Sequence, residues 1–260
     1  MVRRADLHHA RPPRSADLAA PSVALVVVAH PDDAAFQCGG TLAKWARQGT
    51  RLHHLVLTDG SKGTWDAAAD PTALATTRRA EQRRAAELLG GGEVTFLDQV
   101  DGELHSTVPL RDEVARVIRQ VRPDVILGHD PWTRYRLHPD HAAAGRLCVE
   151  GIVAARDPFF ARHLLAEGLD PYRPDALLLF EPDVADHAET FTQEDLDRKV
   201  AALLAHESQH ETTHLHHSRS GDGDDPYESF RRREHDLAAA AGAWADAPFA
   251  EAFHLIDDQL

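Results

Sequence analysis

Hydrophobic positions follow two periods along this chain, and the two alternate in a regular order. Residues 23–28 (VALVVV) form an unbroken, β-branched run, the pattern of a strand buried on both faces of a parallel sheet. The run ends at Ala29-His30-Pro31, where the proline ring disfavours helix at His30 and forces a turn. Gly39-Gly40 opens an amphipathic stretch at 41–48 (TLAKWARQ), which Gly49 closes as the residue after the helix. Residues 53–57 predict a second strand with Thr58-Asp59-Gly60 as its exit turn, 78–89 a helix stopped by three glycines, and 93–97 a third strand. A helix at 110–121, a break at Pro123, a fourth strand at 125–127 and a helix at 142–155 continue the series. Residues 176–180 (ALLLF) and 196–206 add a fifth strand and a further helix. The alternation predicts an α/β fold with a Rossmann-like doubly wound, mostly parallel sheet and helices on both faces. Residues 1–21 read as a disordered or extended tail, 22–260 as a single domain, and 218–226 (SRSGDGDDP) as a connector or a lid.

Composition narrows the function. Lys and Arg number 28 against 42 Asp and Glu, a net charge of −14, so nucleic acid or an anionic membrane would meet net repulsion. The expected partner is a small molecule, with a homo-oligomer left open. Cys38 and Cys148 have no partner at C-x-x-C spacing, which argues against a zinc knuckle or a disulfide framework. The longest apolar run is far short of the roughly 18 residues a membrane span needs. The arginines near the start precede no apolar segment of the secretory type, so the expected address is the cytoplasm. Eighteen histidines are too many for all to be functional. His8, His9, His53, His54, His214, His216 and His217 lack carboxylates at ligand spacing and read as ordinary polar positions.

In open α/β sheets ligands bind beyond the carboxyl ends of the strands, and two such loops are dense in metal-binding side chains. Ala29-His30-Pro31-Asp32-Asp33 follows the first strand, and His138-Pro139-Asp140-His141 ends the loop after the fourth. A hydrolytic zinc takes three nitrogen or oxygen ligands and leaves the fourth position to water. His30 and Asp33, three apart on one turn, can supply two ligands and His141 the third. The water still has to lose a proton, a task suited to the adjacent carboxylate of Asp32. His138, oriented by a carboxylate such as Asp140, could bond the developing oxyanion or protonate the amine. Arg79, Asp101, His129, Tyr135 and Arg136 are candidates for contacting substrate. Asp59 and Arg78 are further candidates; Arg78 and Arg79 are also compatible with solvated positions, and Trp132 with stacking on a sugar or anchoring its own loop. The absence of G-x-G-x-x-G after the first strand argues against a nucleotide-dependent dehydrogenase.

These motifs, together with GGTLAKWARQG at 39–49, TDGSKG at 58–63, FLDQVDGEL at 96–104, RPDVILGHDP at 122–131 and KVAALLAHESQ at 199–209, resemble those of the LmbE-like, or PIG-L-type, de-N-acetylases. The resemblance implies a Rossmann-like fold and one zinc on His30, Asp33 and His141, although iron or cobalt could take the same ligands. It further implies Asp32 as base, His138 backed by Asp140, and removal of acetyl from N-acetylglucosaminyl conjugates. Within the same chemistry the alternative is an amidase of a larger, mycothiol-like thiol conjugate; outside it, a sugar-binding homologue without turnover. Many relatives carry a glutamate one or two positions after the paired aspartates, where this chain has Ala34 and Ala35.

Overall fold

The computed structural model describes residues 12–215, 225–258 and 260, so the readings made for His8, His9, His216, His217 and most of the 218–226 connector lie outside the described residues. Eight strands form one sheet: β1 (Ser15–Ala16), β2 (Val23–Val28), β3 (Arg51–Thr58), β4 (Glu93–Gln99), β5 (Val125–His129), β6 (Ala176–Phe180), β7 (His187–Phe191) and β8 (Phe249–Ile256). Their order is β1-β7-β8-β6-β5-β2-β3-β4. All neighbours pair in parallel except β8, which runs antiparallel to both β6 and β7. The Ser15–Ala16 strand means that the segment read as a tail contributes to the sheet edge.

The helices are α1 (Asp33–Arg47), α2 (Pro71–Leu88), α3 (Val108–Val121), α4 (Pro139–Arg156), α5 (His163–Ala166), α6 (Gln193–Leu204) and α7 (Pro226–Trp244). Several begin earlier than hydrophobic periodicity suggests because a cap and a proline start them. Asp70 caps α2 with Pro71 at its first turn, and Thr107 caps α3 in the same way. None of the helices among the described residues is long and apolar enough to cross a membrane.

Strand β2 shows why both faces are covered. Ala24, Val26 and Val28 join the core that includes Trp45, Phe180, Phe230 and Phe253, while Leu25, Val27 and Ala29 join the opposite core with Ile118, Leu147 and Ile152. Period-two alternation therefore feeds two apolar layers from one continuous run. The chain leaves β2 towards β3 and β4 on one side and returns through β5 and β6 on the other. The order reverses between β2 and β5, and a crevice at such a switch point is where a doubly wound sheet binds its ligand. Helix α4 must come close to this crevice: a Cβ on Gly145 would lie 2.5 Å from the carbonyl oxygen of His129, so the glycine is what permits the approach.

Candidate metal centre

The first loop turns directly into α1. His30 N donates to Asp33 Oδ2 at 2.8 Å, and Phe36 N donates to the carbonyl of Asp32 at 3.1 Å. Asp32 takes φ 103°, ψ −30°, a conformation that side-chain-bearing residues rarely hold unless the surroundings impose it. The surroundings are specific: Asp32 N donates to Gln82 Oε1 at 3.0 Å, and Arg78 Nη2 lies 3.3 Å from Asp32 Oδ2. Arg78 is itself fixed by donating to the carbonyls of Gly60 and Pro31.

The second loop ends in α4, whose first turn carries Pro139 and whose cap is His138; the ring Nδ1 of His138 accepts from Asp140 N at 3.3 Å. The cap sets His141 facing the first loop. His141 Nε2 lies 3.4 Å from Asp33 Oδ1, and His30 Nδ1 lies 3.4 Å from Asp33 Oδ2. The ring centroids of His30 and His141 are 5.2 Å apart. Four-coordinate zinc with donors at about 2.1 Å separates neighbouring donors by roughly 3.4 Å, so Asp33 stands at fitting distances from both imidazoles. Donor atoms also gather within 4.8 Å of one another in His30, His138 and His141, in Asp33, His129 and His141, and in His30, Asp101 and Asp140. The donor set fits a divalent cation.

Electrostatics point the same way. Asp32, Asp33, Asp101 and Asp140 are all buried around His30. Burial lowers the proton affinity of His30, but Asp101, Asp140 and Asp33 outweigh it and hold the ring well above its usual range. The pocket thus stabilises positive charge at this ring, whether brought by a proton or by a metal that displaces it. Burial likewise pulls the Asp33 carboxyl up, and His141 and His129 overcome it and hold Asp33 well below the usual carboxylate range. Asp32 goes the other way: burial raises it, Arg78 opposes, and the neighbouring Asp33 reinforces.

The model of the GlcNAc-PI de-N-acetylase (PIG-L) family matches residues 25–152. Diacetylchitobiose deacetylase of Thermococcus kodakarensis is 38% identical over 185 residues, spanning 71% of this chain and 69% of that protein. This chain belongs to the PIG-L family. The 1D-myo-inositol 2-acetamido-2-deoxy-alpha-D-glucopyranoside deacetylase of Kineococcus radiotolerans is 31% identical over 162 residues, 50% of this chain and 45% of that one. Among solved structures, N,N'-diacetylchitobiose deacetylase from Pyrococcus horikoshii superposes with a TM-score of 0.80 at 27% identity, over 91% of this chain and 84% of that one. These PIG-L relatives are named as deacetylases, hydrolases that act on amide bonds.

Within this PIG-L site the structure brings His30, Asp32, Asp33, Asp101, His129, Arg136, His138, Asp140 and His141 together. Four details correct the sequence reading. The carboxylate of Asp140 serves His30, at 3.2 Å from Nε2, and accepts from Gly102 N and Leu104 N; what reaches His138 from Asp140 is the backbone N–H. Arg79 pairs with Asp98 and lies over Phe96 on the outer side of α2, so the arginine at the site is Arg78. Tyr135 is 91% exposed with φ 59°, at the tip of its loop rather than in the pocket. His129 is fully buried, stacked on His141 with Nε2 3.3 Å from Asp33 Oδ2, and so sits behind Asp33 and His141 instead of facing substrate. Arg136 pairs with Glu181, and its Nη1 lies 3.1 Å from His141 Nδ1.

The role of Arg78 has a signal in the sequence. Ala75, Arg78, Gln82, Ala85 and Leu89 recur at helical spacing, and all are buried, whereas Arg79 is one residue out of phase. The HESQH segment acts as a brace: Ser208 N and Oγ donate to Glu81 at 2.8 and 2.6 Å, and Gln209 Nε2 donates to the carbonyl of Gly63. Ala34 and Ala35 are packed in the core on the α1 side.

Proposed function

We propose that this PIG-L protein is a zinc-dependent amidohydrolase that removes the acetyl group from an N-acetylglucosaminyl-type conjugate, releasing acetate and a free amine. The observation that carries the reading is that the Asp33 carboxylate, at the end of one strand, lies 3.4 Å through one oxygen from His30 Nδ1 and 3.4 Å through the other from His141 Nε2 at the neighbouring strand end, with Asp32 alongside. His30, Asp33 and His141 would hold the ion, which when bound supplies Lewis acidity and eases deprotonation of water.

The chain's own groups account for the proton traffic. Hydrolysis adds hydroxyl from water to the acyl carbon, breaks the carbon–nitrogen bond and delivers a proton to the amine. Asp32 is the base: its carboxylate is buried, held by Arg78 on one side, and raised in proton affinity by that burial. His138 is the donor. Because its Nδ1 accepts from Asp140 N–H, the neutral ring carries its proton on Nε2, where it can hydrogen-bond the oxyanion, and the proton that Asp32 takes from water passes to the leaving amine. Burial and the adjacent His30 and His141 lower the His138 ring, which favours that neutral form.

A larger amide conjugate is the second reading, favoured by one observation. Trp132, Tyr135 and Leu137 stand exposed on the loop that leads into His138, an apolar lip able to hold a bulky leaving portion. Release of a free amine from N-acetylglucosamine, N,N'-diacetylchitobiose, an N-acetylglucosaminyl-inositol conjugate and a bulky thiol conjugate decides between them. Preference for the amino sugars supports the first reading; turnover of the thiol conjugate alone overturns it.

A further inference from the structure

Helix α1 is two segments joined at a break. Cys38 takes φ −145°, ψ 21°, which separates a single turn carrying Asp33 from a longer segment that starts at Gly39. A break of this kind strands carbonyl groups at the end of the first segment and N–H groups at the start of the second. Both sets are met from outside the helix. Glu251 on β8 accepts from Gly40 N at 3.0 Å, Thr41 N at 2.9 Å and Thr41 Oγ1 at 2.6 Å, a carboxylate seated on a helix N-terminus. Lys199 on α6 donates to the carbonyl of Phe36 at 2.8 Å and to Glu251 Oε1 at 2.7 Å. The two residues are 6% and 7% exposed. A Cβ on Gly39 would stand 2.9 Å from Lys199 Cγ, so the glycine lets the lysine stem pass.

A buried ion pair is on its own a poor stabiliser, because removing two charges from water offsets most of their attraction. This pair does something a pair of apolar residues could not: it completes the backbone on both sides of the α1 break. The turn it holds begins with Asp33 and ends at Phe36, where Lys199 bonds. At its front the same turn is tied by His30 N to Asp33 Oδ2. We infer that Lys199 and Glu251 are positioning residues that set where the Asp33 carboxylate stands relative to His30 and His141. The inference rests on the reading of Asp33 as a metal ligand; neither residue touches metal or substrate.

Lys44, near the far end of α1, forms another buried pair with Glu189 on β7 and provides the control. Zinc affinity of the metal-stripped full chain is measured by competition with a chromophoric chelator for wild type, K199M, E251Q, K44M and D33N, with Tm and the kcat and KM for acetate release recorded alongside. K199M and E251Q are expected to bind zinc about tenfold more weakly and to lose about tenfold in kcat with KM nearly constant, the scale of loss typical when the support of a metal ligand is removed. K199M, E251Q and K44M are expected to lower Tm by similar amounts, with zinc affinity and kcat unchanged in K44M. If K199M and E251Q match K44M in all three readouts, the pair is structural only and the inference falls. If K199M does not fold, E251Q, which keeps the shape of the side chain, carries the same comparison. Equal zinc affinity in wild type and D33N would instead overturn the metal reading itself, independently of Lys199.

Discussion

Asp140 Oδ2 lies 3.2 Å from His30 Nε2, although the two residues are 110 apart in sequence. The other face of the same ring, Nδ1, looks towards Asp33. A carboxylate behind one nitrogen fixes the tautomer and ring orientation so that the other nitrogen is presented to a cation. The loops after β2 and β5 are thus linked by a direct contact between them.

Replacement of Asp140 by Asn should therefore act on metal first. D140N keeps the fold but weakens the hold on His30, and zinc affinity is expected to drop by about 10- to 100-fold. Competition with a chelator measures it. A change in kcat with zinc affinity untouched would place Asp140 with His138 after all.

Asp32 should separate chemistry from binding. D32N removes the proton acceptor while leaving His30, Asp33 and His141 in place, so kcat is expected to fall by about 10²- to 10⁴-fold with zinc content retained. Single-turnover acetate release with parallel metal analysis checks both halves. Loss of zinc in D32N would mean that this carboxylate is a ligand.

The adjacent arginines of α2 offer a contrast one residue wide. R78M leaves Asp32 buried without its cation and removes the bonds to Gly60 and Pro31, and a loss of at least tenfold in kcat/KM is expected, on the order of 2 kcal/mol for a buried group stripped of its partner. R79M exchanges an outward pair with Asp98 for a methionine and should leave kcat/KM nearly unchanged. The reverse ranking would refute the assignment of the helix face.

Acid stability has an identifiable contributor far from the site. His54 on β3 is buried, and loss of solvation lowers its ring to about 4 from an ordinary 6.5. Between those values the unfolded chain binds the proton and the folded chain does not, so the stabilisation is complete above pH 6.5 and is lost progressively as pH falls towards 4. The shift corresponds to roughly 3 kcal/mol at the acid end. H54L, which has no proton to take up, should show a shallower fall of Tm between pH 7 and pH 5 than wild type; parallel curves would exclude His54 as the cause.

The legible parts of the sequence were those where one local pattern decides the outcome. The VALVVV run, the ALLLF run and the glycine stops locate β2, β6 and the helix ends because burial on two faces and helix termination leave residue-level marks. His30, Asp33 and His141 stood out as candidates because side chains of metal-binding type sit on short turns after strands, and the structure places Asp33 beside both histidines. The missing parts have different causes. Strand β7 (HAETF) mixes polar and apolar positions because His187 and Glu189 pair with each other inside the sheet. Strand β8 reverses direction, which no local pattern records. The helical turn at Asp33 is hidden by the break at Cys38, so the sequence marks a helix only after Gly39-Gly40. The partner of Asp140 depends on a contact 110 residues away, and the sequence offered the nearer His138 instead.

The most direct test of a single cation gripped by both loops is a titration. Zinc is added to metal-stripped protein while acetate release from N,N'-diacetylchitobiose is followed. Activity should rise linearly and level at one zinc per chain, and the H141A variant should recover none at the same concentrations. Full turnover in the stripped protein, or an endpoint indifferent to His141, would contradict it.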